Sequence, residues 1–314
     1  MILGIDISTN DVAVILAQPD GGAELALRSP LPREGGSPAI WLAAMETARE
    51  TLRRGRREPA QVECTGLVFH APVDERGLVM PSPRAVGWEG FDLQWALREH
   101  LGVADAVAEN RVLGEALGEW RFGALRSANA DESGQPSCPD WLYVHLGSTI
   151  GGAALVNGGL LRGRARAAVE VGAICIERNG ALGSSGRRGA LEGYCGGEAF
   201  IARARSYGLN FKMASEVWDA APSNSMAQSL CEEYSNRLAQ GLGGAVVMLN
   251  PQRLVIGGAL GNVLGERLLA PLRQTIQEFC RPAHFNQLQI GNGQLGDDAA
   301  VLGAVALALQ KREL

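Results

Sequence analysis

Two kinds of residue could do chemistry if their spacing allowed it: cysteines and the glycines of tight turns. The six cysteines, Cys64, Cys138, Cys175, Cys195, Cys231 and Cys280, include no C-x-x-C pair. No redox motif and no cysteine-based zinc site is therefore written in the chain, and reduced, mostly packed thiols are expected. Glycines gather in Gly147-Ser148-Thr149-Ile150-Gly151-Gly152, in Gly158-Gly159 and in Gly257-Gly258. A glycine turn lets backbone N–H groups approach a phosphate, but it also makes a plain connection between strands. On the residues alone both readings stand.

The elements that must carry these turns follow from apolar patterning. Short apolar runs at 2–7, 12–17 and 24–27, separated by turn residues such as Gln18-Pro19-Asp20-Gly21-Gly22, predict a three-stranded antiparallel start. A helix over 38–53, a strand over 65–69, a helix over 92–100, a strand over 105–108 and a helix over 112–126 give an α/β core. The polar stretch 127–140 (SANADESGQPSCPD) reads as an exposed loop between two halves. The second half repeats the opening plan with strands at 141–146 and 153–157, then a run leading to Val171–Glu177. Helices over 196–207, 213–221 and 224–248, a strand over 253–256 and a helix over 265–280 follow. The last helix, 298–311, is apolar on nearly every face and is expected to be buried. Two domains are predicted, 1–125 joined by 298–314, and 126–297.

At 314 residues with 46% apolar content, two domains can each bury a core. Met1-Ile2-Leu3-Gly4-Ile5-Asp6 has no basic leader, and no run of eighteen apolar residues exists, so a cytoplasmic chain without a membrane span is expected. A net charge of −5 gives no general attraction to nucleic acid, and a strand from residue 2 leaves no room for an N-terminal helix-turn-helix, so no nucleic-acid partner is expected.

Four segments together resemble the ROK family (repressor, open reading frame, kinase) and occur in the family's order: GIDISTNDVAVILAQPDGG, LGSTIGGAALVNGGLLRG, VEVGAICIERNGALGSSGRRGALEGY and NPQRLVIGGAL. APVDERGLVMPSPRAVGWEGFDL and LGDDAAVLGAVALAL are also similar to family segments. The resemblance implies the two-domain actin-like ATPase fold, a duplicated ribonuclease H-like α/β architecture of the sugar-kinase type. It implies phosphate-binding hairpins in the first two segments, hexose ligands and a structural zinc in the third, and an adenosine contact in the fourth.

Phosphoryl transfer needs held phosphates, a metal and a base for the sugar hydroxyl. The family's base is the Asp of an Asn-Asp pair, and the matching stretch here is Glu109-Asn110-Arg111-Val112. A guanidinium stays protonated at any working pH, so Arg111 is no base. The first hairpin, Asp-x-Gly-Gly-Thr-Lys in the family, is Asp6-Ile7-Ser8-Thr9-Asn10-Asp11. Asp6 remains to help hold a metal through water, but Ser8 and Thr9 replace glycines and Asp11 replaces the lysine. In the second hairpin, Gly147-Ser148-Thr149, Thr149 stands at a glycine position; Gly257-Gly258 keeps the adenosine-side turn. Among sugar ligands Asn110, Glu170 and Glu192 match. Ala173 stands for the family's His, and Arg84, after Ser82-Pro83, stands for its Asn. The zinc cysteines fall at Gly183, Ser185 and Ala190, so no zinc is expected.

These departures predict a pseudokinase, with no catalytic residue, that binds a sugar or an anionic sugar such as a sugar phosphate at Arg84, Asn110, Arg111, Glu170 and Glu192. The opposing expectation is that the arginines pair with Glu109, Glu170 or Glu192, while Glu170 and Glu192 serve structural roles, capping a turn or pairing with Arg187 or Arg188. ATP and magnesium would be retained only if Asp6, Ser8, Thr9, Asn10 and the glycine turns still hold them. Two alternatives are an active hexose or amino-sugar kinase using Glu109 or Glu170 as base, and a structural subunit of a homo-oligomer formed through the apolar helices after residue 224.

Overall fold

A computed structural model describes residues 1–126, 139–183 and 186–313. Cys138, Ser185 and the polar stretch up to residue 138 lie outside the described residues. The chain divides into two compact units: residues 1–126, 163–167 and 298–314, and residues 127–162 and 168–297.

In the first unit, β1 (Ile2–Ile7), β2 (Asp11–Ala17) and β3 (Ala23–Pro30) form an antiparallel meander. β4 (Cys64–Phe69) then pairs parallel with β1, and β5 (Ala106–Asn110) pairs parallel with β4, giving the order β3-β2-β1-β4-β5. Helices α1 (Gly36–Arg54), α2 (Leu93–Leu101) and α3 (Arg111–Phe122) connect and follow these strands. β1 and β4 are buried along their whole length, as expected of strands covered on both faces.

The second unit repeats that order. β6 (Trp141–Leu146), β7 (Ile150–Val156) and β8 (Gly159–Leu160) are antiparallel neighbours, β9 (Arg253–Gly257) lies parallel to β6, and β10 (Gln289–Asn292) lies parallel to β9. Its helices are α4 (Glu192–Cys195), α5 (Gly197–Ser206), α6 (Ala214–Ala220), α7 (Ser225–Leu249), α8 (Gly258–Leu264), α9 (Glu266–Ile276) and α10 (Pro282–Phe285). The final helix, α11 (Ala299–Glu313), returns to the first unit, where Val301, Ala304, Val305, Ala308 and Leu309 are buried against its sheet. Gly303 permits the close crossing with α3: a Cβ there would collide with the Gly114 backbone.

Three local details depart from what apolar patterning suggests. The run 171–177 is not a strand. Val171–Ala173 forms a tight turn, with Ala173 N–H donating to Glu170 O and Ile174 N–H to Val171 O, so that Val171 enters the core while Ile174 and Ile176 pack against it. β7 begins at Ile150 rather than 153 because Gly151 and Gly152 pair with His145 and Val144. β10 is not anticipated by apolar patterning because Gln-Ile-Gly-Asn offers a single apolar residue, Ile290, to the core.

Candidate functional site

The parallel pairing of β1, β4 and β5 brings Ile7, Phe69 and Asn110 to one level at the strands' C-terminal ends. Ligands of open α/β sheets bind outside those ends. Here they present Asp6 from β1, His70 just after β4, and Glu109, Asn110 and Arg111 at the β5–α3 junction.

Asp6 is fully buried, and both its oxygens accept from Arg111: Nε donates to Oδ1 at 2.9 Å and a terminal guanidinium nitrogen to Oδ2 at 3.2 Å. The other terminal nitrogen of Arg111 pairs with Glu115, one turn along α3 and also buried. Burial raises the Asp6 carboxyl above its ordinary range by more than the Arg111 guanidinium lowers it. The Asp6 carboxylate, which the family resemblance assigns to a metal's water shell, is thus already engaged by a tethered cation. Its donor set does not fit a divalent ion alongside Arg111.

The remaining groups at these strand ends are also engaged. Glu109 accepts from Asn110 N–H with one oxygen at 2.9 Å and pairs through the other with Arg166, whose Nε donates to Val73 O at 2.9 Å. That contact anchors residues 163–167 in the first unit, with Arg166 itself in the left-handed region at φ 50. Asn110 caps α3, its side-chain oxygen accepting from Val112 N–H at 2.9 Å and Leu113 N–H at 3.4 Å, which leaves the amide NH2 as its means of meeting a hydroxyl. Arg84 is exposed on the loop after β4, its N–H donating to Ser82 Oγ at 3.3 Å. His70 contacts Ile7 O at 3.3 Å; burial lowers its pKa, and the Arg111 charge adds to that.

The turn between β1 and β2 closes on itself. Ser8 Oγ accepts from the N–H groups of Asn10 and Asp11 at 3.1 and 3.0 Å and lies 2.6 Å from an Asp11 carboxylate oxygen. Two amides that a phosphate-binding hairpin would offer outward therefore point into the turn. Asp11 is paired with Arg28 at 3.0 Å; burial raises its pKa, but the Ser8 and Arg28 hydrogen bonds outweigh that and hold it below the ordinary range.

In the second unit the corresponding turn, Gly147-Ser148-Thr149, is held by backbone. Gly147 N–H donates to Thr149 O at 3.0 Å, and Gly147 O accepts from Gly197 N–H at 2.9 Å. His145 packs on two glycine turns: a Cβ at Gly147 would stand 2.6 Å from its Nε2, and one at Gly258 2.8 Å from its Nδ1. Gly258 also needs its freedom for φ 79. Glu192 is 6% exposed and accepts from Ile150 N–H at 3.2 Å, while Glu170 is exposed at the head of the 171–173 turn. Gly183, Ala190 and Ala173 offer no side-chain metal ligand, and among the described residues no three His, Cys, Asp or Glu side chains gather for one.

Within the first unit, then, the structure unites Asp6 and Arg111. It adds Glu115, Arg166 and His70, none of which is singled out by sequence patterning, and His145 in the second. The Arg111–Glu115 spacing of four on a helix is a legible signal; the partnership of Arg166 with Glu109 has none, since 57 residues separate them.

A profile of the ROK family matches residues 2–311. The chain is 26% identical to a glucokinase of Thermotoga maritima over 99% of its own length and 98% of the relative's. It is 23% identical to a xylose repressor of Caldicellulosiruptor bescii, over 98% of this chain and 78% of the repressor. The solved ROK family glucokinase of Streptomyces griseus, in complex with glucose and AMPPNP, superposes with a TM-score of 0.80 at 23% identity, covering 98% of this chain and 99% of that one. The two mixed five-stranded sheets are those of the actin-like ATPase fold, and the chain belongs to the ROK family.

Proposed function

We propose that this chain is a sugar-binding regulatory member of the ROK family that has lost phosphoryl transfer. The observation that carries the reading is the bidentate Arg111–Asp6 pair: one side chain removes the base and neutralises the carboxylate that would serve a metal. Losing a general base alone costs about 10² to 10⁴ in rate. The inward-facing amides of Asn10 and Asp11 support the same reading by withdrawing part of a phosphate cradle, which weakens the hold on ATP and magnesium. Glu109 is a poor substitute base because both its oxygens are engaged.

The ligand we favour is a neutral sugar, for which Asn110, Glu170 and Glu192 are the candidate residues. Arg111 spends its charge on Asp6 and Glu115, which weakens the case for an anionic sugar; such a ligand would have to rely on Arg84, exposed on its loop. The glucose bound by the Streptomyces griseus relative makes glucose the first probe. We further propose a cytoplasmic homo-oligomer that responds to sugar without touching nucleic acid itself. Isothermal titration with glucose, beside a coupled assay with glucose, ATP and magnesium, tests the central reading. Binding without turnover is the expected result; turnover at ordinary kinase rates returns the chain to the active sugar kinases.

A further inference from the structure

We propose that Tyr194 is a positioning residue: it ties Glu177 to Ala181 and, through α4, holds the Glu192 carboxylate on the amide of Ile150. This rests on Glu192 belonging to the sugar site only for its consequence in binding; the positioning itself is read from geometry.

The Tyr194 hydroxyl donates to Glu177 Oε2 at 2.7 Å and accepts from Ala181 N–H at 2.8 Å, so one oxygen ties two points of the chain together. Arg237 on α7 lies over the Tyr194 ring, 4.7 Å from its centre, and pairs with the same Glu177 oxygen at 2.9 Å. One turn further along α7, Gln240 donates to Ile176 O at 3.0 Å. The geometry leaves no slack at Gly180, where a Cβ would collide with the tyrosine oxygen. Glu177 is held below the ordinary carboxylate range by the Tyr194 hydrogen bond and then by Arg237, so the acceptor stays ionised at neutral pH.

What this clasp holds is α4, which contains both Tyr194 and Glu192. Leu191 N–H donates to Ile174 O at 2.8 Å before the helix, and Tyr234 on α7 donates to Cys195 O at 2.9 Å at its end. Glu192 leaves the opposite end of α4 to meet Ile150, the first residue of β7, and Gly197 N–H meets Gly147 O just beyond. Release of Tyr194 frees the segment entering α4, so the first bond to loosen is the one from Ile150 to Glu192.

Amide hydrogen exchange followed by NMR reads this directly, with the Val255 amide of the interior strand β9 as the reference for global opening. Tyr194→Phe and Glu177→Ala should each speed exchange at Ile150 about tenfold and leave Val255 unchanged. Glu177→Gln, which keeps an acceptor for the tyrosine, should retain most of the protection. Unchanged exchange at Ile150, or equal acceleration at Ile150 and Val255, overturns the proposal. Glucose titration of Glu192→Gln separates the two readings. If it binds glucose like wild type, Glu192 leaves the sugar site while the exchange result still decides the role of Tyr194. If it binds more weakly, Tyr194→Phe should also weaken glucose, and should add nothing in the double variant.

Discussion

The two units share one strand order, yet they fill the ends of their central strands in different ways. At the ends of β1, β4 and β5 the contacts are ionic: Asp6–Arg111–Glu115 and Glu109–Arg166. At the ends of β6 and β9 they are backbone turns packed on an imidazole, with one buried carboxylate on a main-chain amide. A backbone turn keeps its shape when a side chain changes. A buried ion pair does not, because removing either partner strands the other in a low-dielectric interior. The strand ends of the first unit are therefore saturated by the unit's own charges, while those of the second are held by backbone turns.

The sharpest way to break this contrast is Arg111→Ala. It leaves Asp6 and Glu115 buried without their shared cation and should destabilise the protein by about 3–5 kcal/mol, read by urea denaturation at neutral pH. The pH dependence has a definite sign. With Arg111 gone, the strongest influence lowering the Asp6 pKa is removed, while burial and the neighbouring carboxylates Glu115 and Asp11 still raise it. A carboxyl whose folded pKa lies above its unfolded value is most favourable to folding below the unfolded value, and that advantage is lost as pH rises through the folded one. The deficit of Arg111→Ala should accordingly shrink on acidification; a deficit that is small or independent of pH removes the ionic account of the first unit.

Much of this contrast is legible in the amino-acid sequence. The glycine turns are local patterns, and the family resemblance sets Arg111 at the position of the family's base. The second unit's equivalent of β1–β2 follows from strand, turn and strand in order. What local pattern does not carry is partnership at long range. Residue types alone set Arg111 against Glu109, Glu170 or Glu192 and do not suggest its bond to Asp6, 105 residues away. A side chain at the start of α3 reaches back over the end of β1 only because β4 places β1 and β5 in register, and pairing order is a tertiary property. Residues 171–177 mislead for the opposite reason: their apolar content satisfies the core through a turn as readily as through a strand.

Asn110→Ala is the next largest change. Its side-chain oxygen satisfies two amides at the start of α3, so its loss should cost about 1 kcal/mol in the same denaturation experiment. Asn110→Asp keeps the acceptor and should recover most of that stability while losing the amide donors; glucose affinity should fall in both variants. Full glucose affinity in Asn110→Asp would remove Asn110 from the sugar site and leave it a helix cap.

The smallest effects compare the two hairpin turns directly. In the first, the Ser8 hydroxyl accepts from two backbone amides, so Ser8→Ala leaves both seeking water and should cost about 1 kcal/mol. In the second, Ser148 is exposed and the turn is tied by the Gly147 N–H bond to Thr149 and by the Gly197 N–H bond to Gly147, so Ser148→Ala should change stability by less than about 0.5 kcal/mol. Equal costs at the two serines would mean that the second turn also depends on its side chain, and the division into a side-chain-saturated unit and a backbone-held one would no longer stand. Unequal costs in the expected order would locate the difference between the units in the turns themselves, because the flanking strands pair in the same antiparallel manner.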